Sequence, residues 1–344
     1  MSGQIATENG ADWRRATEPF VGPDSRRASF QLATTLGLLL LVVTSIHFAL
    51  QWSMLAAIFL VLPCAGLLVR TFIFMHDCAH GSFFSSRTAN DACGFITGVL
   101  TFTPFAQWRR DHALHHASSG DLDRRGHGDI PTLTVREYLA RSPAGRRRYR
   151  LLRHPCTLLF GGPIHLFVGQ RRRDKSLASG PKQNASVWLT NVAIIALLAI
   201  AFATVGWRSV LFAYGLPYYI AAMVGVGLFY VQHQFEDAYW APHDEWRYAD
   251  AALLGSSHLR LPAPLQWFTG NIGLHHVHHI APRIPNYRLQ ACHDSHPLFA
   301  RSPVMTLRSS MSALRLSLWD EERNRLVRFS DVERSAATHQ SLEA

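Results

Sequence analysis

The sequence predicts an all-α integral membrane protein with four transmembrane helices in two hairpins, short interfacial helices and a cytosolic helical cap. Three observations favour this class. Charged residues make up 17% of the 344 residues, against about a quarter in ordinary soluble domains. Long apolar stretches carry no charge at all, and groups of histidines lie at their ends or beyond them.

The first predicted hairpin lies in residues 28–69, which contain no Asp, Glu, Lys or Arg. A helix needs about 20 apolar residues to cross a bilayer, so this stretch is long enough for two crossings. Only the neighbourhood of Trp52 interrupts its apolar character. We therefore expect transmembrane helices at about 30–50 and 53–75, joined by a tight turn.

The second predicted hairpin lies in residues 183–235, where Arg208 is the one charged residue. The charge-free runs on its two sides are each long enough to cross the bilayer. Transmembrane helices are expected at about 185–206 and 209–232. Two crossings return the chain to its starting side, so His233 should lie on the same side as the end of the first hairpin.

Shorter apolar stretches at 92–106 and 157–168 cannot cross the hydrocarbon layer and are expected to lie at the interface. The ends of the chain are polar and contain no pattern of a cleaved signal peptide. The predicted organisation is a flexible cytosolic tail at 1–27, one domain at 28–300 and a second cytosolic tail at 301–344.

The distribution of charge predicts the orientation. The formal net charge is +10, and the arginines cluster beside the apolar stretches, as they do on the cytoplasmic side of membrane proteins. No nucleic-acid-binding motif accompanies them, so nucleic acid is not an expected partner. The five cysteines show no paired spacing, which favours a reducing compartment. We expect a bacterial inner-membrane protein with the histidines and both termini in the cytoplasm.

The histidines occur at helical spacing. In the third group, His275, His278 and His279 are at i, i+3 and i+4 and share one helix face, whereas His276 points away. The second group repeats this spacing, and the first is a pair at i, i+4. With His233, the candidate metal ligands number nine: His76, His80, His112, His115, His116, His233, His275, His278 and His279.

Nine imidazoles are more than one ion can bind, since a transition metal takes about four to six ligands. The histidines therefore predict two metal ions. Imidazole suits Zn, Cu, Fe and Ni alike. Iron is favoured because a site at the membrane edge can meet an apolar chain, and breaking its unactivated C–H bonds requires activated oxygen.

Three further residues are candidates for orienting the imidazole ligands from behind. Asp77 and Asp111 are adjacent to histidines of the first and second groups, and Asn271 precedes His275 by one helical turn. The alternative for both aspartates is that they cap helices or pair with Arg109 and Arg110. The remaining histidines, His276 included, are expected to be surface or structural residues.

Three stretches resemble the histidine boxes of the membrane-bound fatty acid desaturase family. They are the sequences HDCAHG from His76, WRRDHALHH from Trp108, and the region 271–287. The similarity covers about residues 30–300. It is greatest to bacterial acyl-lipid desaturases of the Δ12 or omega-6 type, in which segments similar to 119–126 and 280–287 recur.

The resemblance implies a non-haem di-iron centre and O2-dependent introduction of a cis double bond into an acyl chain, lipid-linked in these relatives. It also implies that His233 is the iron ligand outside the boxes. Ala79 departs from the family, where glycine is common, and Phe229 stands where acyl-CoA relatives have a water-bridging asparagine. The implied cofactor is thus two Fe ions.

Electrons must come from an external donor, because the chain lacks a dinucleotide-binding loop, an iron–sulfur pattern and a fused haem motif. A ferredoxin or a similar acidic protein is expected. Two basic runs are candidates for docking it. The alternative is that they set the topology and contact anionic lipid. The runs are Arg146, Arg147 and Arg148, and Arg171, Arg172 and Arg173.

Two rival functions remain open. A membrane di-iron hydroxylase or carotenoid ketolase would use the same ligands but transfer oxygen. A metal transporter or sensor without catalysis would also be rich in histidine, but transporters place ionisable groups inside their spanning segments. The position of the double bond, the headgroup and the oligomeric state do not follow from the sequence.

Overall fold

The computed structural model describes residues 12–126, 130–169 and 180–335, and their backbone is mostly helical. The α-helices are α1 (Asp12–Thr17), α2 (Ser25–Trp52), α3 (Met54–Ala79), α4 (Arg87–Leu100), α5 (Phe105–Ser118), α6 (Val135–Leu139), α7 (Pro143–Arg153), α8 (Gly162–Gly169), α9 (Pro181–Val210), α10 (Leu216–His233), α11 (Tyr248–Leu254), α12 (Ala263–Phe268), α13 (His275–Ile280), α14 (Leu289–Ser295) and α15 (Leu307–Ala313).

Three helical stretches in the described residues are long and apolar enough to cross a membrane: Ser25–Trp52, Met54–Ala79 and Pro181–His233. The third has 53 residues and consists of α9, a π-helical turn and α10. Gly206 inside it has φ 78° and ψ 165°, which breaks the helix. The break lies two residues before Arg208, where the sequence predicts a turn. The part of the chain that the structure describes thus contains three candidate membrane spans.

Helix α3 is the central helix of the apolar region. In the most apolar 18 residues of α3, 61% of the residues are buried. The corresponding shares are 17% for α2 and 11% for Pro181–His233. Helix α3 packs against α2, α4, α10 and α12. Ser53 separates it from α2, and the Ser53 hydroxyl caps α3 by accepting a hydrogen bond from the Ala56 amide (3.3 Å). A single serine therefore ends one helix and starts the next.

The predicted all-α fold is corrected by two small sheets. β1 (Leu133–Thr134) runs parallel to β4 (Leu318–Asp320), which is antiparallel to β5 (Arg325–Val327). β2 (His258–Leu259) runs parallel to β3 (Val304–Met305). Strands of two or three residues are too short to show alternation, so periodicity could not predict them.

The start of the described chain packs against α14, although the sequence predicts a loose tail at 1–27. Trp13 and Phe20 lie against the buried cluster around Leu289. The Asp24 carboxylate caps α2 by accepting from the amides of Arg26 (3.0 Å) and Arg27 (3.1 Å). The apolar side chains in this stretch explain the difference, since exposing them would cost free energy.

Residues 301–335 also belong to the folded part of the molecule, beyond the predicted boundary at 300. They contain β3, α15, β4 and β5, and their Trp319 is 3% exposed. The buried Arg153 ties this region to α10. Its guanidinium donates to the Tyr230 hydroxyl (3.0 Å), the Gln234 side-chain oxygen (2.8 Å) and the Leu316 carbonyl (3.2 Å). The end of α10, which carries His233, is thereby held in place.

Candidate metal centre

The nine predicted ligands lie at the ends of four helices that meet on one side of the apolar region. His76 and His80 are at the end of α3, and His112, His115 and His116 are on the last two turns of α5. His275, His278 and His279 are on α13, and His233 is the last residue of α10. Because each helix carries its histidines on one face, the rings converge. Within the described residues they form two groups that can each hold a metal ion.

The first group consists of His76, His80, His112 and His278, whose ligand atoms all lie within 4.8 Å of one another. The Nε2 atoms of His76 and His278 are 3.0 Å apart. His76 and His278 are 202 residues apart in sequence, so this group exists only in the folded chain.

The second group consists of His115, His233, His275 and His279, and all four are buried. The Nε2 atom of His233 is 3.1 Å from that of His115 and 3.0 Å from that of His275. The Nε2 atoms of His275 and His279 are 3.1 Å apart. Three helices therefore contribute to this group.

His116 lies between the two groups. Its Nε2 atom is 2.9 Å from that of His278 and 3.1 Å from that of His112, both in the first group. Its ring stacks on His279 of the second group, with centroids 4.2 Å apart and an interplanar angle of 21°. The ninth imidazole thus sits at the boundary, with its Nε2 atom toward the first group.

The hydrogen bonds behind the rings indicate which nitrogens face the groups. His76 Nδ1 is 3.1 Å from the Asp77 carboxylate, and His233 Nδ1 is 3.0 Å from the Gly255 carbonyl. Both partners only accept, so each Nδ1 carries the proton and donates it. Each Nε2 then presents a lone pair to its group, which is the form that binds a metal ion.

An unpaired atom also fits a metal ion. In the described part of the chain, His80 Nε2 is buried and has no hydrogen-bond partner. A buried polar atom costs free energy unless a partner such as an ion satisfies it. A metal ion held with His76, His112 and His278 would bind this nitrogen, and four imidazoles are a suitable donor set for Fe, Zn or Cu.

Burial keeps five of these imidazoles neutral. It is the largest cause of the lowered pKa of each, and the neighbouring histidines lower the pKa further because their charged forms would repel one another. Neutral imidazole is the form that coordinates a metal. The pKa is well below 6.5 for His112, His116, His275, His278 and His279.

Asp77 is part of a connected set of hydrogen bonds behind the first group. Besides His76, its carboxylate accepts from the backbone amide and the side-chain amide of Asn286, both at 2.8 Å. The Asn271 side chain donates to the Asn286 carbonyl (2.9 Å). Asn271 thus supports Asp77 through Asn286, and it is linked to His76 only through these two residues.

Sequence reasoning missed Asn286. It belongs to the region 271–287 that carries the family resemblance, but no spacing marks it, since Asp77 is 209 residues away. It also missed Trp108, whose ring stacks on His112 with centroids 4.3 Å apart and an interplanar angle of 21°. Trp108 belongs to the second box, yet an aromatic residue beside a histidine is common in any core.

Asp111 lies in a different setting. Its side chain is 43% exposed and 3.4 Å from Arg110 Nη1, which matches the alternative that it pairs with a neighbouring arginine. Arg109 pairs instead with Asp91 (2.7 Å). His276 points away from both groups, with its Nε2 atom 3.0 Å from His293 Nδ1.

Of the two candidate docking runs, the structure describes the first, on α7. Arg147 and Arg148 are exposed on α7 and Arg146 is half-buried. The same helix exposes two leucines, Leu151 (66%) and Leu152 (53%), so its surface is both basic and apolar. The second run, Arg171, Arg172 and Arg173, lies outside the described residues.

Comparison with known proteins places this site in a family. The sequence profile of the fatty acid desaturase family matches residues 31–308. A fatty acid desaturase of Bacillus subtilis is 42% identical over 91% of this chain and 89% of its own length. An sn-1 oleoyl-lipid 12-desaturase of Anabaena variabilis is 27% identical over 71% of each chain.

A third relative is an sn-1 acyl-lipid omega-3 desaturase (ferredoxin) of Synechocystis, 29% identical over 64% of this chain and 61% of its own length. The profile covers most of the chain, and the Bacillus protein is similar along nearly its whole length. The histidines that form the two groups all lie inside the matched region. The chain belongs to the fatty acid desaturase family and is a membrane enzyme of that family.

Proposed function

We propose that this enzyme uses O2 to introduce a cis double bond into the acyl chain of a membrane lipid, at two iron ions held by the nine histidines. The observation that carries the proposal is the pair of histidine groups, each with its ligand atoms within 4.8 Å, in a chain of the desaturase family. Two separate groups fit two ions better than one.

The proposed ligands divide between the ions as the groups do. His76, His80, His112 and His278 would hold one iron, together with His116, and the other four would hold the second. Iron in these groups would supply the activation of O2 that an unactivated C–H bond requires. The nine residues act as ligands, and Asp77 and the Gly255 carbonyl orient two of them.

The protein's own contribution is to position the chain and exclude water. Phe229, Trp240 and Ile130 border a small cavity beside His233, and their apolar surfaces suit a hydrocarbon chain. Phe229 also packs against His115, with ring centroids 5.0 Å apart. We propose that an acyl chain passes this wall and that its path sets the position of the double bond.

A lipid-linked substrate and the Δ12 position are supported by the relatives. The Anabaena and Synechocystis proteins are described as acting on lipid-linked chains, one of them at position 12. We extend both properties to this chain. The prediction of a ferredoxin donor is supported in the same way, since the Synechocystis protein is described with ferredoxin.

The proposed topology has four crossings in two hairpins, with a domain at about 28–300. Four crossings require the chain to turn at Gly206, and the non-helical backbone there supports such a turn. We propose that the histidine groups and both termini face the cytoplasm of a bacterium and that the membrane is the inner one. The distribution of arginine supports this orientation.

The donor would dock on the basic surface that includes Arg147 and Arg148. If docking is electrostatic, raising the salt concentration should slow turnover with the reduced donor, because salt screens exposed charges. Neutralising both arginine runs should slow it too. If neither change slows turnover, the arginines only set topology or contact anionic lipid.

The function is tested by expressing the chain in a bacterium that makes only saturated and monounsaturated lipids. Mass analysis of the fatty acids should find a product that has lost two hydrogens, with the new double bond located by fragmentation. The variant His278→Ala should give no product. His276→Gln on the same helix is the matched control and should retain it, since His276 faces away from both groups.

Other outcomes would contradict the proposal. A product that gains one oxygen indicates a hydroxylase or ketolase. Purified protein that contains two iron ions but consumes no O2 with a reduced donor and lipid indicates a metal-binding protein without this activity. If the product persists in His278→Ala, the histidines of α13 are not part of the active site.

A further inference from the structure

The segment 261–270, which contains α12, packs deep along the central helix α3. The Phe268 ring lies against Gly66, where an added Cβ would come within 2.6 Å of it. Trp267 stacks under the Arg70 guanidinium at 4.2 Å, and a Cβ on Gly270 would come within 2.8 Å of Ile73. Phe268 therefore contacts α3 nearest to its start, at Gly66, and the residues after Phe268 run along α3 toward its end, at Ile73.

The depth of this contact follows from helix geometry. Gly66 is the twelfth residue after Met54, where α3 starts, and a helix rises about 1.5 Å per residue. Phe268 thus lies roughly 18 Å from the start of α3. The hydrocarbon layer is about 30 Å thick. If α3 crosses it from the Ser53 turn, Phe268 lies inside the layer.

The backbone at the deep end of the segment is hydrogen-bonded, as this depth requires. The amides of Thr269, Gly270 and Asn271 donate to carbonyls within the segment at 3.0 to 3.1 Å. The Trp267 carbonyl, at the end of α12, also accepts from Arg70 Nη1. Arg70 is 5% exposed, and its Nε donates to Thr35 (3.1 Å). It caps a short helix that could not otherwise end in an apolar layer.

The outer face of the segment is apolar and open. Leu265 is 44% exposed and Trp267 is 41% exposed. Residues this apolar are not expected beside each other in water, but they suit a surface in contact with lipid. The segment is flanked by α3, so this surface continues the lipid-facing surface of the spanning helix.

Helix α15 extends the same surface. β2 and β3 are parallel, so the helices that follow them, α12 and α15, leave the sheet at the same end. On α15, Leu307 is 49% exposed and Met311 is 65% exposed. No Asp or Glu occurs between Asp294 and Asp320, whereas arginines stand at 301, 308 and 315.

We propose that residues 261–270 are a re-entrant membrane element and that α15 lies beside it on the bilayer, with its arginines at anionic headgroups. The partner of this surface is lipid, because it is apolar and continuous with a spanning helix, and because residues 295–319 carry arginines but no Asp or Glu. The inference rests on the proposed crossing by α3. It places in the membrane a stretch that lies outside the four predicted transmembrane helices.

The position of the element matters for the metal centre. The Leu259 amide donates to the Gly273 carbonyl (2.7 Å), and α13 starts two residues later. The helix that carries His275, His278 and His279 is thus joined to a segment anchored in lipid. The segment that precedes α13 in the chain therefore holds these three histidines at a set depth relative to the bilayer.

The test places a fluorescent probe on single cysteines in full-length protein, one copy per lipid nanodisc. The background variant Cys156→Ser removes the exposed native thiol, and the other four are buried. Probes at Leu265→Cys and Met311→Cys should be quenched by lipids that carry a nitroxide and protected from iodide in water. A probe at the exposed Glu322→Cys is the matched control and should behave in the opposite way.

A probe at Phe59→Cys, where Phe59 is an exposed residue of α3 (67%), tests the crossing by α3 separately from the re-entrant element. If Phe59 is quenched by iodide, the crossing by α3 fails and this inference fails with it. If Phe59 is lipid-quenched but Leu265 is quenched by iodide, only the re-entrant element is overturned. If Met311 becomes iodide-protected only in nanodiscs with two copies, α15 contacts a second copy and its lipid contact is overturned. Retained desaturase activity shows that each labelled variant is folded.

Discussion

The hydrogen bonds from Asn286 to Asp77 allow a quantitative prediction. Asn286→Ala removes the side-chain donor at 2.8 Å but keeps the backbone donor at 2.8 Å. A hydrogen bond to a charged group contributes about 1.5–3 kcal/mol, and about 1.4 kcal/mol is tenfold in a binding constant. With Asp77 less firmly held, His76 should be oriented less well. We expect iron affinity of the first group to fall by roughly 10- to 100-fold, as is typical when such supporting residues are changed.

The assay is the iron content of purified protein after dialysis against increasing chelator. Wild type should keep two iron ions, and Asn286→Ala should lose one of them at a lower chelator concentration. Gln290→Ala is the matched control, because this amide lies in the same region and bonds to Gln266 and Asp294. If Asn286→Ala is folded and both ions resist chelator as in wild type, the link from Asn286 to the metal is refuted.

Three further outcomes are expected. Gly66→Ala should destabilise the protein by about 1–3 kcal/mol through overpacking against Phe268, whereas Gly37→Ala, with no atom within 4 Å of the new Cβ, should not. Arg153→Met should lower the unfolding temperature and leave several buried acceptors unpaired, at about 1–3 kcal/mol each. Burial, and next His293, lower the pKa of His258 from 6.5 to about 4. Between these values the unfolded chain binds more protons, so stability should fall as the pH decreases from 6.5 toward 4.

Each of these outcomes has a measurement that can contradict it. Equal unfolding temperatures for Gly66→Ala and Gly37→Ala would mean that Phe268 does not lie against Gly66. An unchanged unfolding temperature for Arg153→Met would mean that its hydrogen bonds do not hold α10. For His258, the variant His258→Gln should lose stability less steeply with acid, and an identical slope would show that His258 is not buried in its neutral form.

Local spacing was enough to predict which neighbouring histidines share a helix face. His275, His278 and His279 share a face on any helix, and so do His112, His115 and His116. Asp77 was predicted from its place beside His76 and does contact that ring. The same reasoning named Asp111, yet its side chain lies by Arg110, because adjacency in sequence does not decide which way a side chain points.

Composition also predicted where long apolar helices occur, although it predicted four spans and the described residues contain three candidates. The predicted helices at 30–50 and 53–75 correspond to Ser25–Trp52 and Met54–Ala79. Composition failed where contacts between distant segments decide the structure. The two small sheets pair strands far apart in the sequence, and α12 descends along α3 although its own residues are too few to span.

Read alone, the sequence determined that nine histidines would be presented on helix faces near the ends of apolar segments, since periodicity and the length of charge-free runs are local properties. Only the tertiary structure decided how they divide into two groups, because His76 meets His278 and His115 meets His233 through packing of helices far apart in the chain. The same holds for Asn286 behind Asp77 and for Arg70 at the end of α12. Such contacts are set by the three-dimensional path of the chain, which no spacing within one segment contains.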